Sequence, residues 1–341
     1  MRWCPLLHTR HNESADGGEK ENMNITKVLL AGGSGFLGAS IAEQLVRQGM
    51  LVTVPTRLAD RAKHLLVLPT VEVAEADVHD ADRLAELVCD KDAVINLVGI
   101  LHGDFEREHV TLSRQIAEAC VSTGTTRLIQ MSALNASITG PSAYLQSRDR
   151  GEEAVLDVAR RHPSLNVTIF QPSVIFGEHD RFLNMFAKLV KFSPFVPLGS
   201  PDARFQPVWV EDVARAVVQS LSMRETFGRT YPLVGPHVYT LRELLEFVMR
   251  LTHQRRPIIG LSAGLSALQA AVFERMPGKL ITRDNVRSMS IPNTSSEPFP
   301  AIFGEAHAME SIVAGYLQHN AQDTTGRARY DQFRYRAGRS L

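Results

Sequence analysis

A glycine-rich turn between a short apolar strand and a helix constrains this chain more than any other feature. The sequence reads Lys27-Val-Leu-Leu-Ala-Gly-Gly-Ser-Gly-Phe-Leu-Gly38, with glycines spaced three apart at Gly32, Gly35 and Gly38. Gly32 would allow a sharp turn, Gly35 would admit backbone N–H groups to a pyrophosphate, and Gly38 would let the helix pack closely on the strand. The helix predicted over 36–48 would direct its positive end at those phosphates. The turn therefore predicts the entrance to a dinucleotide site.

A second apolar strand, predicted at 51–57, follows this helix and completes a strand–helix–strand unit. It ends at Thr56 and Arg57, where a site that prefers NAD commonly has Asp or Glu. A guanidinium can hold a 2′-phosphate through two charge-assisted hydrogen bonds, whereas an acid would repel it. The sequence therefore favours NADP(H) over NAD(H). The alternative is that Arg57 is a solvated charge that continues the basic surface of Arg61 and Lys63.

Strands and helices continue to alternate beyond this unit. The pattern predicts an α/β fold: a Rossmann-like, doubly wound parallel sheet with helices on both faces, followed by a smaller and mostly helical C-terminal lobe. The further strands are predicted at 71–74, 92–97, 127–131 and 166–170, which makes six, with further helices at 109–122 and 144–161.

Two places on these strands could also meet a dinucleotide. Asp77 and Val78 follow the third strand, where a carboxylate or a backbone group would reach the adenine. The fourth strand ends in Asn96-Leu-Val-Gly99, and a glycine at that point again lets the backbone approach a ligand.

Charge and composition exclude several classes of function. The chain has 37 basic and 37 acidic residues, so no overall field attracts nucleic acid. Three scattered cysteines and dispersed histidines form no metal-ligand spacing, and no metal site is predicted. No segment has the ~18 consecutive apolar residues that a transmembrane helix needs. The expected location is cytoplasmic, with a position peripheral to an inner membrane, or on the matrix side of an organelle, as the alternative.

The same patterns predict how the chain is divided. Residues 1–24 are polar and are predicted to be a disordered extension, in which Met23 is an alternative start. Residues 25–172 are predicted to form the NAD(P)-binding domain. Residues 173–318 are predicted to form the C-terminal lobe, with some chain returning to the Rossmann core, and 319–341 a loose tail.

An apolar run over 258–273 is predicted to be a helix, because Leu261, Leu265, Leu268 and Val272 fall at helical spacing. The ordinary interpretation is a helix that packs on the second lobe. The alternative is a helix that docks on a membrane protein or a membrane surface. Four basic residues flank the run: Arg255, Arg256, Arg275 and Lys279.

These motifs together resemble the short-chain dehydrogenase/reductase family, in its extended and atypical branch. The glycine motif, Asp77, Asn96, Ser132 and Tyr144 lie in the order and approximate spacing of that family, over about residues 27–220. A closer resemblance is to the complex I subunit nine-like group, the dehydrogenase-like accessory proteins of respiratory NADH:ubiquinone oxidoreductase. It rests on the segments Gly35-Phe-Leu-Gly38, Gln171-Pro-Ser-Val-Ile-Phe-Gly177, Asp180-Arg-Phe-Leu-Asn184 and Phe205-Gln-Pro-Val-Trp-Val-Glu-Asp-Val213, with weaker likeness at Tyr239-Thr-Leu-Arg-Glu243, Pro277-Gly278 and Thr282-Arg283-Asp284.

The resemblance implies a bound nicotinamide dinucleotide and a catalytic group of serine, tyrosine and lysine. In active members the tyrosine exchanges a proton with the substrate oxygen while hydride passes to or from the nicotinamide. A lysine four residues later lowers the pKa of the tyrosine phenol, which is ~10 when free, toward neutral pH. The same lysine holds the nicotinamide ribose. Here the motif reads Tyr144-Leu-Gln-Ser-Arg148, so the lysine is replaced by arginine.

Arginine keeps the positive charge on the helix face of Tyr144, but its planar fork is larger than a compact ammonium. We therefore expect cofactor binding to survive this replacement more readily than proton transfer. The catalytic candidates are Ser132, Tyr144 and Arg148, with a turn-capping serine and a core tyrosine as the alternatives for the first two. The predicted cofactor-binding residues are Gly32, Gly35, Phe36, Leu37, Gly38, Arg57, Asp77, Val78, Asn96, Gly99, Tyr144, Arg148, Pro172 and Val174.

Two functions of different classes follow. In the first, the protein holds NADP(H) mainly for structure, assembly or partner binding, with a respiratory complex or a peripheral membrane surface as the partner. In the second, it is an NAD(P)-dependent oxidoreductase or epimerase that uses Tyr144 on a small carbonyl or quinone-like substrate. The arginine at 148 favours the first, and the retained Ser132 and Tyr144 favour the second.

Overall fold

The structure is a computed structural model that describes residues 24–261, 264–265 and 282–322. The predicted N-terminal extension, apart from its last residue, lies outside these ranges, as do residues 323–341 of the predicted tail. Leu268, Val272, Arg275 and Lys279 of the predicted apolar helix also lie outside the described residues.

A seven-stranded parallel sheet forms the centre of the fold, in the order β11-β6-β5-β4-β1-β2-β3. Its strands are β1 (Lys27–Ala31), β2 (Leu51–Thr56), β3 (Val71–Glu75), β4 (Ala93–Asn96), β5 (Arg127–Met131), β6 (Asn166–Pro172) and β11 (Arg229–Leu233). Its central strands are mostly apolar and are buried on both faces, which is the pattern of a parallel sheet covered by helices. The doubly wound sheet predicted from the sequence is confirmed.

Helices cover both faces of this sheet. They are α1 (Phe36–Arg47), α2 (Ala81–Val88), α3 (Leu112–Thr123), α4 (Ala143–Arg161) and α6 (Val210–Ser220). One apolar core joins α1 and α6 to the sheet, and a second joins α2, α3 and α4 to its other face. A wider turn of π-helical type, Glu106–Thr111, leads into α3, so the helix predicted from residue 109 begins three residues earlier and with a different winding.

The seventh strand corrects the predicted count of six. β11 follows α6 and pairs with β6 from Arg229 to Leu233, at the sheet edge. The chain therefore returns to the Rossmann sheet after the point where the second lobe was predicted to begin.

The C-terminal lobe has its own apolar core, which includes Phe186, Leu244 and Val313. Its elements are β7 (Ile175–Phe176), α5 (Phe182–Phe192), β8 (Val196–Gly199), β9 (Arg204–Phe205), β10 (Val208–Trp209), β12 (Tyr239–Thr240), α7 (Leu241–Leu251), β13 (Ile258–Leu261) and two further helices, Arg283–Ser288 and Met309–Gln322. No helix in the described ranges combines the length and the apolar character that crossing a membrane requires.

The helix predicted over 258–273 is wrong at its start. Ile258 to Leu261 form strand β13, which pairs in parallel with β8 from Val196 to Gly199. Ile258 and Ile259 are consecutive β-branched residues, and this favours an extended strand over a helix.

Candidate dinucleotide site

The site lies at the carboxyl edge of the sheet, where β1, β4, β5 and β6 all end. Ala31 pairs with Asn96, Asn96 with Gln130, and Met131 with Phe170. The residues that follow these strand ends therefore form a row along one edge. In an open α/β sheet, this edge is where ligands bind.

The glycine turn has the backbone geometry that the sequence predicted. Gly32 has a φ of 80°, a conformation that L side chains rarely adopt, and a Cβ there would lie 3.1 Å from the backbone of Leu97 and Val98. A Cβ on Gly38 would lie 2.5 Å from Cα of Gly33, so a side chain at 38 would collide with the turn. On Gly35 a Cβ would meet only the carbonyl oxygen of Gly32, at 3.4 Å. Gly35 therefore leaves the approach to the turn open.

Gly33 was missed in the sequence analysis. A Cβ at this position would lie 2.9 Å from Leu30 and 2.9 Å from Val54. The residue must therefore be small because strands β1 and β2 press against it. The signal was present in the sequence as the consecutive glycines at 32 and 33, but the motif spacing uses only Gly32.

Helix α1 begins at Phe36 without a side-chain cap and with no acidic residue in its first turn. By contrast, Asp80 caps α2 and Ser142 caps α4 through side-chain oxygens. The first N–H groups of a helix have no partner within the helix, so an uncapped start offers donors to an anion. Phe36 and Leu37 are partly buried, and Leu37 packs against the core, so their backbone N–H groups are the parts suited to a phosphate.

Asn96 is fully buried at the end of β4, and its amide is committed to the protein. Its Nδ2 donates to Gln130 at 2.9 Å and to Ser113 at 3.3 Å, and its Oδ1 accepts from the N–H of Val98 at 3.1 Å. The side chain therefore fixes the loop after β4. A direct contact of Asn96 with the cofactor stays a prediction.

Arg148 is buried and its guanidinium lies directly against the loop after β4. Its Nη1 lies 3.2 Å from the carbonyl oxygen of Val98 and 3.4 Å from that of Met131. A Cβ on Gly99 would collide with this guanidinium, so glycine at 99 makes room for Arg148. Within the described residues the buried Nε of Arg148 has no hydrogen-bond partner.

Tyr144 lies above Arg148, as the spacing of four residues predicted, with the guanidinium carbon 5.4 Å from the ring centroid. The ring also packs edge-on against His109, at 5.7 Å between centroids, and against Phe105 at 6.1 Å. The backbone carbonyl of Tyr144 accepts from the hydroxyl of Ser147 at 2.8 Å.

His109 was not predicted as part of the site, yet it supports both Tyr144 and the loop after β4. Its Nε2 accepts from the N–H of Ile100 at 3.0 Å, which leaves Nδ1 to donate to Ser147 at 2.8 Å. Burial, and next the charge of Arg148, lower the pKa of His109 to about 3. The imidazole is therefore a neutral structural group at physiological pH.

Ser132 directly follows β5, and its buried Oγ has no hydrogen-bond partner that the described residues supply. It lies near the carboxylate of Glu152. Both oxygens of that carboxylate accept from Nε2 of Gln171, at 2.8 and 3.0 Å. Burial raises the pKa of Glu152, while Ser132, Gln171 and Arg148 oppose that rise. Glu152 was also missed, although it follows Arg148 by four residues on α4, and helical spacing alone puts it on the same face.

The adenosine end of the predicted site is open to solvent. Arg57, immediately after β2, is exposed, and so is Asp77, whose Oδ1 accepts from the N–H of His79 at 3.1 Å. Val78 is partly buried against the second core. These residues lie after β2 and β3, the two strands beyond the glycine turn in the sheet order.

On the other side of the turn, the predicted contacts of Pro172 and Val174 are restricted to their side chains. The carbonyl of Pro172 accepts from Leu134 at 2.9 Å. The N–H of Val174 donates to the Asn293 side chain at 3.2 Å, and its carbonyl accepts from Val208 at 3.0 Å. Their cofactor contacts, like the others above, stay predictions.

Among the described residues no group of three or more His, Cys, Asp and Glu side chains is placed to hold a metal ion. The polar groups that are available fit a dinucleotide instead. They are an uncapped helix start behind an open glycine, and a buried hydroxyl and guanidinium nitrogen to which the described residues offer no well-aligned hydrogen bond.

The sheet, the glycine turn and the uncapped helix start define a dinucleotide-binding α/β protein of the short-chain dehydrogenase type. The chain belongs to the NAD dependent epimerase/dehydratase family, whose model matches residues 28–233. The family assignment and the fold support binding of a nicotinamide dinucleotide, in agreement with the sequence analysis.

Curated relatives confirm the closer resemblance. The chain is 33% identical over 265 residues to the mitochondrial NADH dehydrogenase [ubiquinone] 1 alpha subcomplex subunit 9 of Mus musculus, covering 74% of this chain and 69% of that protein. It is 26% identical over 334 residues to the mitochondrial NADH-ubiquinone oxidoreductase 40 kDa subunit of Neurospora crassa, covering 96% and 85%. Among solved structures, a nucleoside-diphosphate-sugar epimerase from Staphylococcus aureus matches with a TM-score of 0.66 at 16% identity, covering 86% of this chain and all of that one. This last likeness concerns the fold.

Proposed function

We propose that this protein holds a nicotinamide dinucleotide mainly as a structural group and acts as an accessory subunit or assembly protein of a respiratory NADH:ubiquinone oxidoreductase. Similarity to subunits of that complex in mouse and Neurospora crassa supports the partner. The mitochondrial names of those relatives support a location beside the inner membrane. A tightly bound dinucleotide would stabilise the folded protein by mass action, since it binds the folded chain and not the unfolded one.

The observation that carries this proposal is the environment of Arg148. Its Nη1 donates to the backbone carbonyls of Val98 and Met131, and the absence of a side chain at Gly99 leaves room for the guanidinium. A catalytic lysine must instead present a compact charge to the ribose and the tyrosine. Arg148 is positioned to support the loop after β4, which supports cofactor holding over proton transfer.

The residues of the site suggest a division of tasks toward the bound group. The N–H groups at the start of α1 would hold the pyrophosphate, and Ser132, Tyr144 and Arg148 would line the nicotinamide end. When bound, the nicotinamide would supply hydride chemistry. Tyr144 and Arg148 would then determine whether a proton is exchanged with the substrate oxygen.

The experiment that tests the proposal begins with protein purified without added cofactor. Denaturation releases any bound nucleotide for identification, and NADPH oxidation is then followed against panels of quinones and carbonyl compounds. Wild type, Arg148→Lys and Tyr144→Phe are compared. Tightly held NADPH without turnover in any of the three supports the structural role, whereas a chain with no dinucleotide affinity contradicts it.

A second candidate function, an active NAD(P)-dependent oxidoreductase, is favoured by one observation. The buried Ser132 hydroxyl lies near the Glu152 carboxylate but makes no well-aligned hydrogen bond within the described residues, so it is available to donate to a substrate oxygen. Turnover by wild type that is lost in Tyr144→Phe would establish this second function. Turnover that appears only in Arg148→Lys would identify an enzyme whose activity was lost with the lysine.

The preference for NADPH is a separate proposal that rests on Arg57. This guanidinium is exposed directly after β2, and no ion pair holds it within the described residues. We expect Arg57→Ala to weaken NADPH binding about tenfold, the equivalent of ~1.4 kcal/mol, and to leave NADH binding unchanged. Arg61→Ala, which removes a charge from the same surface, is the control. Equal losses for NADPH and NADH would contradict the assignment.

A further inference from the structure

Residues 282–293, which we call the strap, return from the C-terminal lobe and contact the site at three points. The first contact is made by Asp284. Its Oδ1 accepts from the N–H of Ala143 at 2.9 Å, and its Oδ2 accepts from the N–H of Tyr144 at 3.0 Å. A carboxylate from 140 residues away therefore caps the helix that carries Tyr144 and Arg148.

The second contact reinforces this cap. The hydroxyl of Ser288 donates to the hydroxyl of Ser142 at 2.8 Å. Ser142 is the N-cap of α4, and its Oγ accepts from the N–H of Leu145 at 3.2 Å. The strap therefore supports the start of α4 through both the backbone and the helix's own cap. A carboxylate there also interacts favourably with the positive end of the helix dipole.

The third contact is made by Asn293 with the loop after β6, where Pro172 and Val174 are predicted to contact the cofactor. The Oδ1 of Asn293 accepts from the hydroxyl of Ser173 at 2.6 Å and from the N–H of Val174 at 3.2 Å. The backbone of Asn293 also pairs with the C-terminal lobe: its N–H donates to Arg204 at 2.8 Å, and its carbonyl accepts from Gln206 at 3.1 Å. One residue thus ties the lobe to the loop after β6.

We propose that the strap couples dinucleotide binding to the C-terminal lobe, with Asp284 as the residue that positions α4. The inference rests on the proposed dinucleotide site. Tyr144 and Arg148 project from the first two turns of α4, so a shift of its start moves both side chains. Because the coupling is reciprocal, a strap that increases cofactor affinity is itself stabilised by the bound cofactor to the same extent. Since Asn293 also bonds to the C-terminal lobe, cofactor binding then stabilises the contact between the strap and that lobe.

The chain provides a matched control. The carboxylate of Asp92 also accepts two consecutive backbone N–H bonds from a distant segment, at 2.8 Å from Thr26 and 2.9 Å from Lys27. It lies at the amino end of the sheet, opposite the site, because it precedes β4 and holds the start of β1. Asp92→Ala and Asp284→Ala thus remove similar contacts from opposite edges.

The test measures NADPH affinity by calorimetry for wild type, Asp284→Ala, Asp284→Asn and Asp92→Ala. We expect Asp284→Ala to weaken binding tenfold or more, Asp284→Asn to fall between it and wild type because one acceptor oxygen remains, and Asp92→Ala to stay within twofold of wild type. If Asp284→Ala fails to fold, Ser288→Ala replaces it as a milder change to the same cap. We expect Ser288→Ala to weaken NADPH binding severalfold.

Hydrogen exchange supplies a readout that a merely stabilising contact would not move. In wild type, NADPH should slow exchange of the amides at 282–293, and in Asp284→Ala this protection should be lost. Unchanged exchange on adding NADPH, or equal affinities of the Asp284 and Asp92 variants, would overturn the coupling and leave the proposed function standing. Failure of wild type to bind NADPH at all would overturn both.

Discussion

Among the described residues, buried polar groups differ between the two ends of strand β5: those at its amino end are fully hydrogen-bonded, and two at its carboxyl end are not. At its start, all three guanidinium nitrogens of Arg127 are bonded. Nε donates to Leu221 at 3.3 Å, Nη1 to Asn166 at 3.0 Å, and Nη2 to Ser220 at 2.7 Å. At its end, Ser132 Oγ and Arg148 Nε are buried and lack partners within the part of the chain that the structure describes.

The two arginines show what this difference means. Arg127 is fully buried, and burial lowers its pKa to about 9, yet its bonds to carbonyls and hydroxyls compensate for the loss of water. Arg148 is buried as well, but within the described ranges its buried Nε donates to no protein group, at the edge where dinucleotides bind in this fold. Arg127 at the amino edge stabilises the fold, whereas Ser132 and Arg148 at the carboxyl edge retain bonding capacity for a ligand.

The largest expected effect tests the amino edge. Arg127→Met removes five hydrogen bonds and leaves their carbonyl and hydroxyl acceptors buried. We expect the free energy of unfolding to fall by about 3 kcal/mol or more, because each buried acceptor left without a partner costs about 1 to 3 kcal/mol. Chemical denaturation measures the loss, and Arg229→Met, at an exposed arginine on β11, is the control. NADPH affinity of the folded variant should be unchanged, and a parallel loss of affinity would break the distinction between the two edges.

The next effect tests the carboxyl edge through the glycine turn. A methyl group at Gly38 would collide with the backbone of Gly33, so the turn must shift. We expect Gly38→Ala to lower the unfolding free energy by about 2 to 3 kcal/mol and to weaken NADPH binding by well over tenfold. Gly315→Ala is the control, because a Cβ there meets nothing within 4 Å. If Gly38→Ala kept full affinity, the role of the glycine turn in phosphate binding would be wrong.

A third effect concerns the neutral histidine behind the carboxyl edge. The pKa of His109 is about 3 in the folded protein against an ordinary 6.5, so only the unfolded chain takes up this proton as the pH falls below 6.5. Its contribution is therefore present above pH 6.5 and lost toward pH 3. Between pH 6.5 and about 5 the loss approaches ~2 kcal/mol. His109→Asn should remove this part of the acid sensitivity, whereas His162→Asn, at an exposed histidine, should not.

The sequence pattern predicted those features that depend on residues close together in the chain. β5 runs from Arg127 to Met131 as predicted, because a short apolar run between turn signals has few alternatives. The sharp turn at Gly32 was equally predictable, since the glycine spacing is local, whereas the need for glycine at 33 arises from packing against Leu30 and Val54. Tyr144 and Arg148 lie on one face because helix geometry requires it.

The features that the sequence did not predict depend on contacts between distant residues. β11 contains Pro232 and is partly exposed, and only its pairing with β6 makes it a strand. The cap of α4 by Asp284 joins residues that no local spacing relates. The partners of Asn96 and Arg148 likewise come from neighbouring strands and loops, so the sequence does not show which bonds these two side chains make.

The smallest expected effect distinguishes two interpretations of Glu152. Burial raises the pKa of this carboxyl, so the folded protein holds its proton to higher pH than the unfolded chain does, and ionisation lowers stability as the pH rises above the ordinary value of 4.5. If that cost dominates, Glu152→Gln should leave the unfolding free energy at pH 7 unchanged or raise it by about 1 kcal/mol or less, since an amide can still accept from Gln171. If the charge of Glu152 instead holds Arg148 in place, the variant should be less stable and should bind NADPH more weakly. Denaturation and calorimetry on this one variant therefore decide whether Glu152 serves the fold or the site, with Glu153→Gln, at the adjacent exposed carboxylate, as the control.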